Sequence, residues 1–152
     1  MNRKLLISLF LMLVSQLINA KENTSFQPVK DLFEAISQVD HNKIRTAVTS
    51  EFLLLEHGEV WSIDDLIKVV KPSTFKRTNF FNVISIKQQQ EMAWINYWNK
   101  ANFSNGEKSQ EVMWLESVVV IKKSGQWKLA QMHSTRIKPE KFPKNIKFEK
   151  SF

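Results

Sequence analysis

Two side chains, Glu116 and His133, are the candidates in this sequence for acid and base chemistry. They lie in two consecutive predicted strands, and if Ser124 and Gly125 form a two-residue hairpin turn, Glu116 faces His133 directly. The Cβ atoms of directly opposed residues are about 4.5 to 5.5 Å apart, within reach of a side-chain hydrogen bond. A carboxylate beside an imidazole can act as an acid/base pair whose pKa values depend on desolvation and mutual attraction.

The same pair has a structural interpretation, in which it only orients the sheet or satisfies a buried backbone group. The register also has an alternative. A four-residue loop in place of the Ser124-Gly125 turn would set His133 opposite Trp114. Both registers predict that Glu116 and His133 lie on one face of the sheet.

Ligand binding needs only apolar walls and a few convergent polar groups. A two-residue turn at Asn105 and Gly106 would place Tyr97 across from Trp114 and toward such a pocket, whereas one bulge residue would turn it away. We predict an inward Tyr97. The candidate ligand-binding residues are Glu56, Tyr97, Trp114, Glu116, Gln131 and His133.

Other kinds of site are not expected. The three histidines are far apart, with no His-x-His or His-Glu-x-x-His arrangement and no cysteine to assist, so we predict no metal site and no cofactor. Three glycines cannot supply a glycine-rich phosphate loop. Lys100 is the only basic residue within the aromatic central strand, which argues against a nucleic-acid platform.

Three predicted helices must help to position these residues. Pro28 begins the first, which carries an apolar stripe at helical spacing, and Asp40 caps a short second helix. Ser62 and Asp65 form a capping-box-like start to the third, which Pro72 stops.

Strands dominate the rest of the chain. Runs rich in aromatic and β-branched residues cover residues 51–56, 80–86, 93–103, 112–121 and 127–137. Helices followed by an antiparallel meander predict an α+β fold, with the N-terminal helices packed on one face of a curved sheet.

The strand at residues 112–121 is apolar on both faces, so both faces of the sheet need cover. The helices can cover only one. We therefore expect a homodimer through the outer face of the sheet. The outer residues of this strand are Met113, Leu115, Val119 and Ile121.

The chain has three predicted parts: a signal peptide at 1–20, one domain at 21–138 and a basic, solvated tail at 139–152. Arg3 and Lys4 precede a short apolar run, and Ala20 suits signal peptidase. Removing this segment lowers the net charge from +7 to +5. We expect export to the periplasm or medium without stable membrane insertion, the alternative being an uncleaved anchor.

Three segments, 114–117, 122–129 and 133–136, together resemble the last two strands of the nuclear transport factor 2-like superfamily, and especially its small exported bacterial members. Residues 56–61 and 93–97 support the resemblance, which covers residues 26–138. It implies a cone-shaped α+β fold with a pocket between the helices and the concave face of the sheet. It also implies dimerisation through the other face.

Members of this superfamily include isomerases, cyclases, hydrolases and plain binding modules, so the fold does not give the function. The leading hypothesis is an exported domain that binds a small, partly apolar molecule in its cone. The first alternative is a cofactor-independent isomerase, cyclase or hydrolase that uses Glu116 and His133 as its acid/base pair. The second is an interaction protein whose sheet face docks other subunits.

Overall fold

The computed structural model describes residues 24–151, so the predicted signal peptide lies outside the described residues. Within residues 24–151, no helix is long and apolar enough to cross a membrane. In chain order the elements of this part are α1 (Gln27–Gln38), α2 (His41–Ala47), β1 (Val48–Glu56), β2 (Glu59–Ser62), α3 (Ile63–Val69), β3 (Lys76–Gln89), β4 (Met92–Ser104), β5 (Ser109–Lys123), β6 (Gln126–Ile137) and β7 (Glu149–Lys150).

The predicted helix starts are confirmed. Pro28 lies in the first turn of α1, where the missing N–H has no intrahelical partner to lose. The Asp40 side chain accepts a hydrogen bond from the Lys43 backbone N–H at the start of α2, at 3.0 Å. At α3 the Ser62 side chain and the Asp65 carboxylate form a reciprocal capping box. The hydrogen bonds from Ser62 are the main reason that the pKa of Asp65 falls to about 2.

The strands form one sheet in the order β2-β1-β6-β5-β4-β3-β7. Adjacent strands of this sheet are antiparallel, except that β1 and β6 run parallel. The predicted α+β fold is therefore confirmed, and its sheet is mixed. Strand β2 was not predicted. It pairs with β1 through a two-residue turn at His57 and Gly58, whose φ values of 53° and 81° suit the hairpin turn that demands two left-handed residues.

The hydrophobic core lies between the helices and one face of the sheet, here called the inner face. Strand β4 contributes Ile95 and Tyr97 to it, and β5 contributes Val118 and Val120; all are at most 1% exposed. From α1 the apolar stripe supplies Val29, Leu32, Phe33 and Ala35. The layered arrangement of a cone follows, with helices on the concave side.

The register between β5 and β6 differs from the predicted one. The Ser124-Gly125 turn forms as predicted, with Lys123 paired to Gln126. A β-bulge then follows, because Val120 pairs with Leu129 whereas Val119 pairs with Gln131, and Ala130 has no partner. One extra residue turns every later side chain of β6 to the other face.

The C-terminal tail, predicted as a basic, solvated extension at 139–152, pairs in part with the sheet. Glu149 and Lys150 form β7, which pairs with Phe81 and Phe80 at the edge of β3. In addition, the Asn82 side chain donates a hydrogen bond to the Lys147 carbonyl at 2.9 Å. The end of the tail therefore covers the edge strand of the sheet.

Candidate functional site

A chain of buried polar side chains crosses the inner face from β3 to β6. Glu116 is 4% exposed, and its two carboxylate oxygens accept hydrogen bonds from the Asn99 amide at 3.1 Å and the Ser134 hydroxyl at 3.0 Å. The Asn79 amide donates to Asn99 at 2.7 Å, and Arg77 Nε donates to Asn79 at 2.9 Å. A partly buried guanidinium is thereby connected to a buried carboxyl through two amides.

Glu116 titrates in an unusual range because of its surroundings. Burial raises the pKa of Glu116 from 4.5 to about 7, since the charged form is deprived of water. The nearby Tyr97 hydroxyl, the donors Ser134 and Asn99 and the positive charge of Arg77 limit this rise. Near neutral pH the carboxyl is consequently divided between its neutral and charged forms.

The Tyr97 hydroxyl is one of two buried side-chain groups among residues 24–151 that lack a hydrogen-bond partner, the other being the Ser151 hydroxyl. Tyr97 lies directly opposite Glu116, and its side chain is fully buried. The hydroxyl is close enough to Glu116 to affect the pKa of that carboxyl, yet its geometry fits no hydrogen bond with a described residue. Burial raises the pKa of Tyr97 well above its usual range, so the side chain stays neutral.

Arg77 is held among aromatic rings. Its guanidinium carbon lies 5.1 Å from the ring centroid of Phe33, 5.5 Å from that of Phe103 and 5.6 Å from that of Trp114. These distances are within the range of cation–π attraction. Burial lowers the pKa of Arg77 to about 10, and the charges of Glu116 and Glu56 oppose this shift.

An open cleft of about 720 Å³, here called the cleft, lies beside this arginine. Its wall residues come from the end of α1 and the residue after it, the β1–β2 hairpin, α3 and the segment that follows it, the start of β3 and the end of β4. They are Ile36, Ser37, Val39, Glu56, His57, Trp61, Leu66, Val69, Val70, Lys71, Pro72, Ser73, Thr74, Phe75, Lys76, Arg77 and Phe103.

Four of the six predicted ligand-binding residues lie on the concave side. Glu116, Tyr97 and Trp114 share the inner face, where Tyr97 faces Glu116 and Trp114 faces Asn99. Glu56 lines the cleft. The inward direction predicted for Tyr97 is therefore confirmed, although its partner was expected to be Trp114.

The predicted pairing of Glu116 with His133 is wrong. Because of the bulge at Ala130, Glu116 lies opposite Ser134, whereas His133 lies opposite Ser117 on the outer face and is exposed. Gln131 lies on the outer face for the same reason. The structure thus separates His133 and Gln131 from the buried carboxyl by the thickness of the sheet.

Four members of the buried polar chain, Arg77, Asn79, Asn99 and Ser134, were not predicted. Asparagine is disfavoured inside strands, so Asn79 and Asn99 within apolar strand patterns were the available signal. Within residues 24–151, no three His, Cys, Asp or Glu side chains come together in a way that could hold a metal ion.

Residues 27–137 match the family model described as a SnoaL-like domain. The chain belongs to this family. No curated protein matches it. This SnoaL-like domain covers nearly the whole of the region that resembled the nuclear transport factor 2-like superfamily, and the resemblance is confirmed.

Solved structures share the fold of this SnoaL-like domain at low sequence identity. An NTF2-like protein from Cytophaga hutchinsonii is 15% identical, with a TM-score of 0.62 over 90% of this chain and 100% of that one. A ketosteroid isomerase-like protein from Erwinia carotovora atroseptica is 16% identical, with a TM-score of 0.61 over 80% and 99%. The CaMKII hub of S. rosetta is 15% identical, with a TM-score of 0.62 over 78% and 98%. At these identities the likeness concerns the fold alone.

Proposed function

We propose that this SnoaL-like domain is an exported binding module that takes a small, partly apolar molecule into the cleft. The observation that carries the proposal is the cleft itself, which is open and measures about 720 Å³. Small-molecule sites are typically concave, about 300 to 1,000 Å³ in volume, and apolar with a few convergent polar groups. The cleft combines Trp61, Phe75 and Phe103 with the polar side chains of Glu56 and Arg77.

A second depression, of about 690 Å³, lies beside α1, α2 and the start of β6. Polar side chains such as Asp31, Glu34 and Lys43 line it, and Trp127 is the one aromatic residue that the described part of the chain contributes to its wall. It offers a ligand little apolar surface to bury. The cleft is the better candidate for that reason, although the two spaces are similar in volume.

The proposal predicts a ligand that depends on the cleft. Mass spectrometry of small molecules carried through purification should find one bound to the wild-type protein. Ser37→Trp, which adds an indole to a half-buried position on the wall, should reduce its amount by about tenfold or more by steric exclusion. The matched control is Thr46→Trp, on the second depression, which should retain the ligand. If Thr46→Trp lost the bound ligand while Ser37→Trp retained it, the choice of the cleft would be contradicted.

Acid/base catalysis remains the second candidate, and the observation that favours it is the pKa of Glu116, raised to about 7. Perturbed carboxyls of this kind are common in active sites. A catalytic carboxyl must also reach its substrate. Glu116 is 4% exposed and does not line the cleft, and His133 is on the other face, so binding remains our proposal.

We also propose a homodimer through the outer face of the sheet. Trp94 is 53% exposed there and Leu115 is 38% exposed, beside the half-buried Trp98 and Val119. Met113, expected to belong to the exposed patch, is buried instead. Exposed aromatic and aliphatic side chains that adjoin on one sheet face favour a second copy as their cover.

Trp94→Lys should convert the dimer to a monomer, because a lysine at a closely packed symmetric interface places two unpaired charges in an apolar setting. Sedimentation equilibrium measures the effect. Asp31→Lys, which adds a lysine at an exposed position of α1 and away from the outer face of the sheet, is a control that should stay dimeric. A wild-type protein that sediments as a monomer at high concentration would contradict the proposal.

Export rests on residues 1–20, whose basic start and apolar run predict a leader that ends at Ala20. The intact mass of the exported chain tests this part of the proposal.

A further inference from the structure

Arg77 is a partly buried cation without a counter-ion. Among residues 24–151 no carboxylate lies within 4.0 Å of its nitrogens, although six salt bridges form elsewhere in this part of the chain. Within the described residues its charge is met by the aromatic rings, by the Asn79 oxygen and by the more distant Glu116 and Glu56. An incompletely paired charge away from water is unfavourable, and an anion that arrives beside it recovers part of that cost.

The guanidinium is also fixed in orientation. Nε is engaged by the Asn79 oxygen at 2.9 Å, and Asn79 is itself fully buried. The two terminal nitrogens form no hydrogen bond with a described side chain, and Arg77 lines the cleft. A planar fork with two free donors matches the two oxygens of a carboxylate.

The other charges of the cleft favour an anion. Lys71 and Lys76 line it together with Arg77, and neither lysine forms a salt bridge within the described residues. Glu56 is the opposing charge in the wall, and its carboxylate lies 3.6 Å from the His57 ring. Glu116 adds negative charge from behind Arg77 but is separated from it by Asn79 and Asn99.

The walls next to Arg77 are aromatic, so a bare inorganic anion would leave their apolar surface uncovered. Phe103 borders both the guanidinium and the cleft, and Trp61 and Phe75 lie along the same space. A ligand that fills the cleft therefore needs an apolar body as well as a charged end.

We infer that the cleft binds a small carboxylic acid with an aromatic or alkyl body, whose carboxylate pairs with Arg77. This inference rests on the proposed function, since it names the ligand class of the same cleft. It concerns binding alone and requires no chemical step.

A panel of matched probes tests the inference. Phenylacetate, 3-phenylpropionate and hexanoate are compared with their primary amides, which keep the shape and lose the charge. Saturation-transfer NMR detects binding, and titration calorimetry gives the dissociation constants. We expect at least one acid to bind about tenfold or more tightly than its amide, because only the acid forms a charge-assisted pair.

Variants then assign the effect to Arg77. Arg77→Gln should remove the preference for the acid, and Arg77→Lys should keep part of it, because the charge remains and the fork is lost. Arg45→Gln is the matched control, since Arg45 pairs with Asp64 on the surface and does not line the cleft. It should bind like the wild type. If Arg77→Gln fails to fold, the comparison of acids with amides and the Arg77→Lys variant still test whether the carboxylate pairs with Arg77.

The possible failures are distinguishable. If amides bind as tightly as acids, the carboxylate class is wrong while a small-molecule cleft stands. If acids are preferred but the preference survives in both Arg77 variants, the assignment to Arg77 is wrong. If no member of either series binds, both the inference and the proposed function fail for molecules of this size.

Discussion

Replacing Phe81 with alanine is expected to lower the free energy of unfolding by about 3 to 5 kcal/mol, the usual cost of removing a buried aromatic side chain. Phe81 is 4% exposed, and its ring centroid lies 5.6 Å from those of Phe26 and Phe33 and 5.9 Å from that of Tyr97. The first two rings come from the start of α1 and from α1 itself, and Tyr97 comes from the sheet. Phe81 therefore joins the main helix to the sheet.

The adjacent Phe80 is a matched control, because it points to the other face of the same strand and is only half-buried. Phe80→Ala should cost clearly less, on the order of 1 kcal/mol. Urea unfolding of both variants gives the two values, and Phe81→Leu provides a measurable variant if alanine at this position prevents folding. Equal costs at the two positions would show that the ring cluster is not the anchor of α1.

The helices of this fold could be predicted closely from the sequence because their signals are local. The caps at Asp40 and Ser62 act within three residues, and the Pro28 start depends on the chain immediately around it. The hairpin turn at Ser124 was predicted for the same reason, and both its central residues adopt the left-handed conformation that the turn requires.

The turn near Asn105 shows how a wrong local detail can leave the face assignment intact. Four residues rather than two separate the paired Ser104 and Ser109. The change moves the partner of Tyr97 by two positions, from Trp114 to Glu116. Since side chains alternate with a period of two, Tyr97 stays on the inner face.

The bulge at Ala130 could not be predicted from the hairpin alone. Its position coincides with an irregularity in the parallel pairing of β6 with β1, where the partners jump from Val48 and Leu129 to Leu53 and Gln131. Strand β1 lies far away in the sequence, so the register of β6 at this point involves a long-range pairing that the hairpin does not reveal. A shift of one residue, unlike a shift of two, moved His133 to the opposite face.

Glu116→Gln is expected to change how stability depends on pH. In the folded protein the pKa of Glu116 is about 7, compared with 4.5 for a glutamate carboxyl in water. Between these values the folded state holds a proton that the unfolded state has released, so stability from this group is complete below about pH 4.5 and is lost as pH rises through about 7. The loss totals about 3 kcal/mol, at about 1.4 kcal/mol for each unit of pKa shift.

Glutamine cannot ionise, and its amide can still accept a hydrogen bond from Asn99 and donate one to Ser134, so the variant should fold. The wild-type free energy of unfolding minus that of the variant should therefore fall by about 3 kcal/mol between pH 4 and pH 8. Urea unfolding across this range measures the difference. Glu111→Gln, on the same strand but exposed beside Lys100, is the control for replacing a carboxylate by an amide without burial. A difference for Glu116 that stays flat with pH would mean that this carboxyl titrates alike in the folded and unfolded states, so that the Asn99, Ser134 and Arg77 contacts offset the cost of its burial fully.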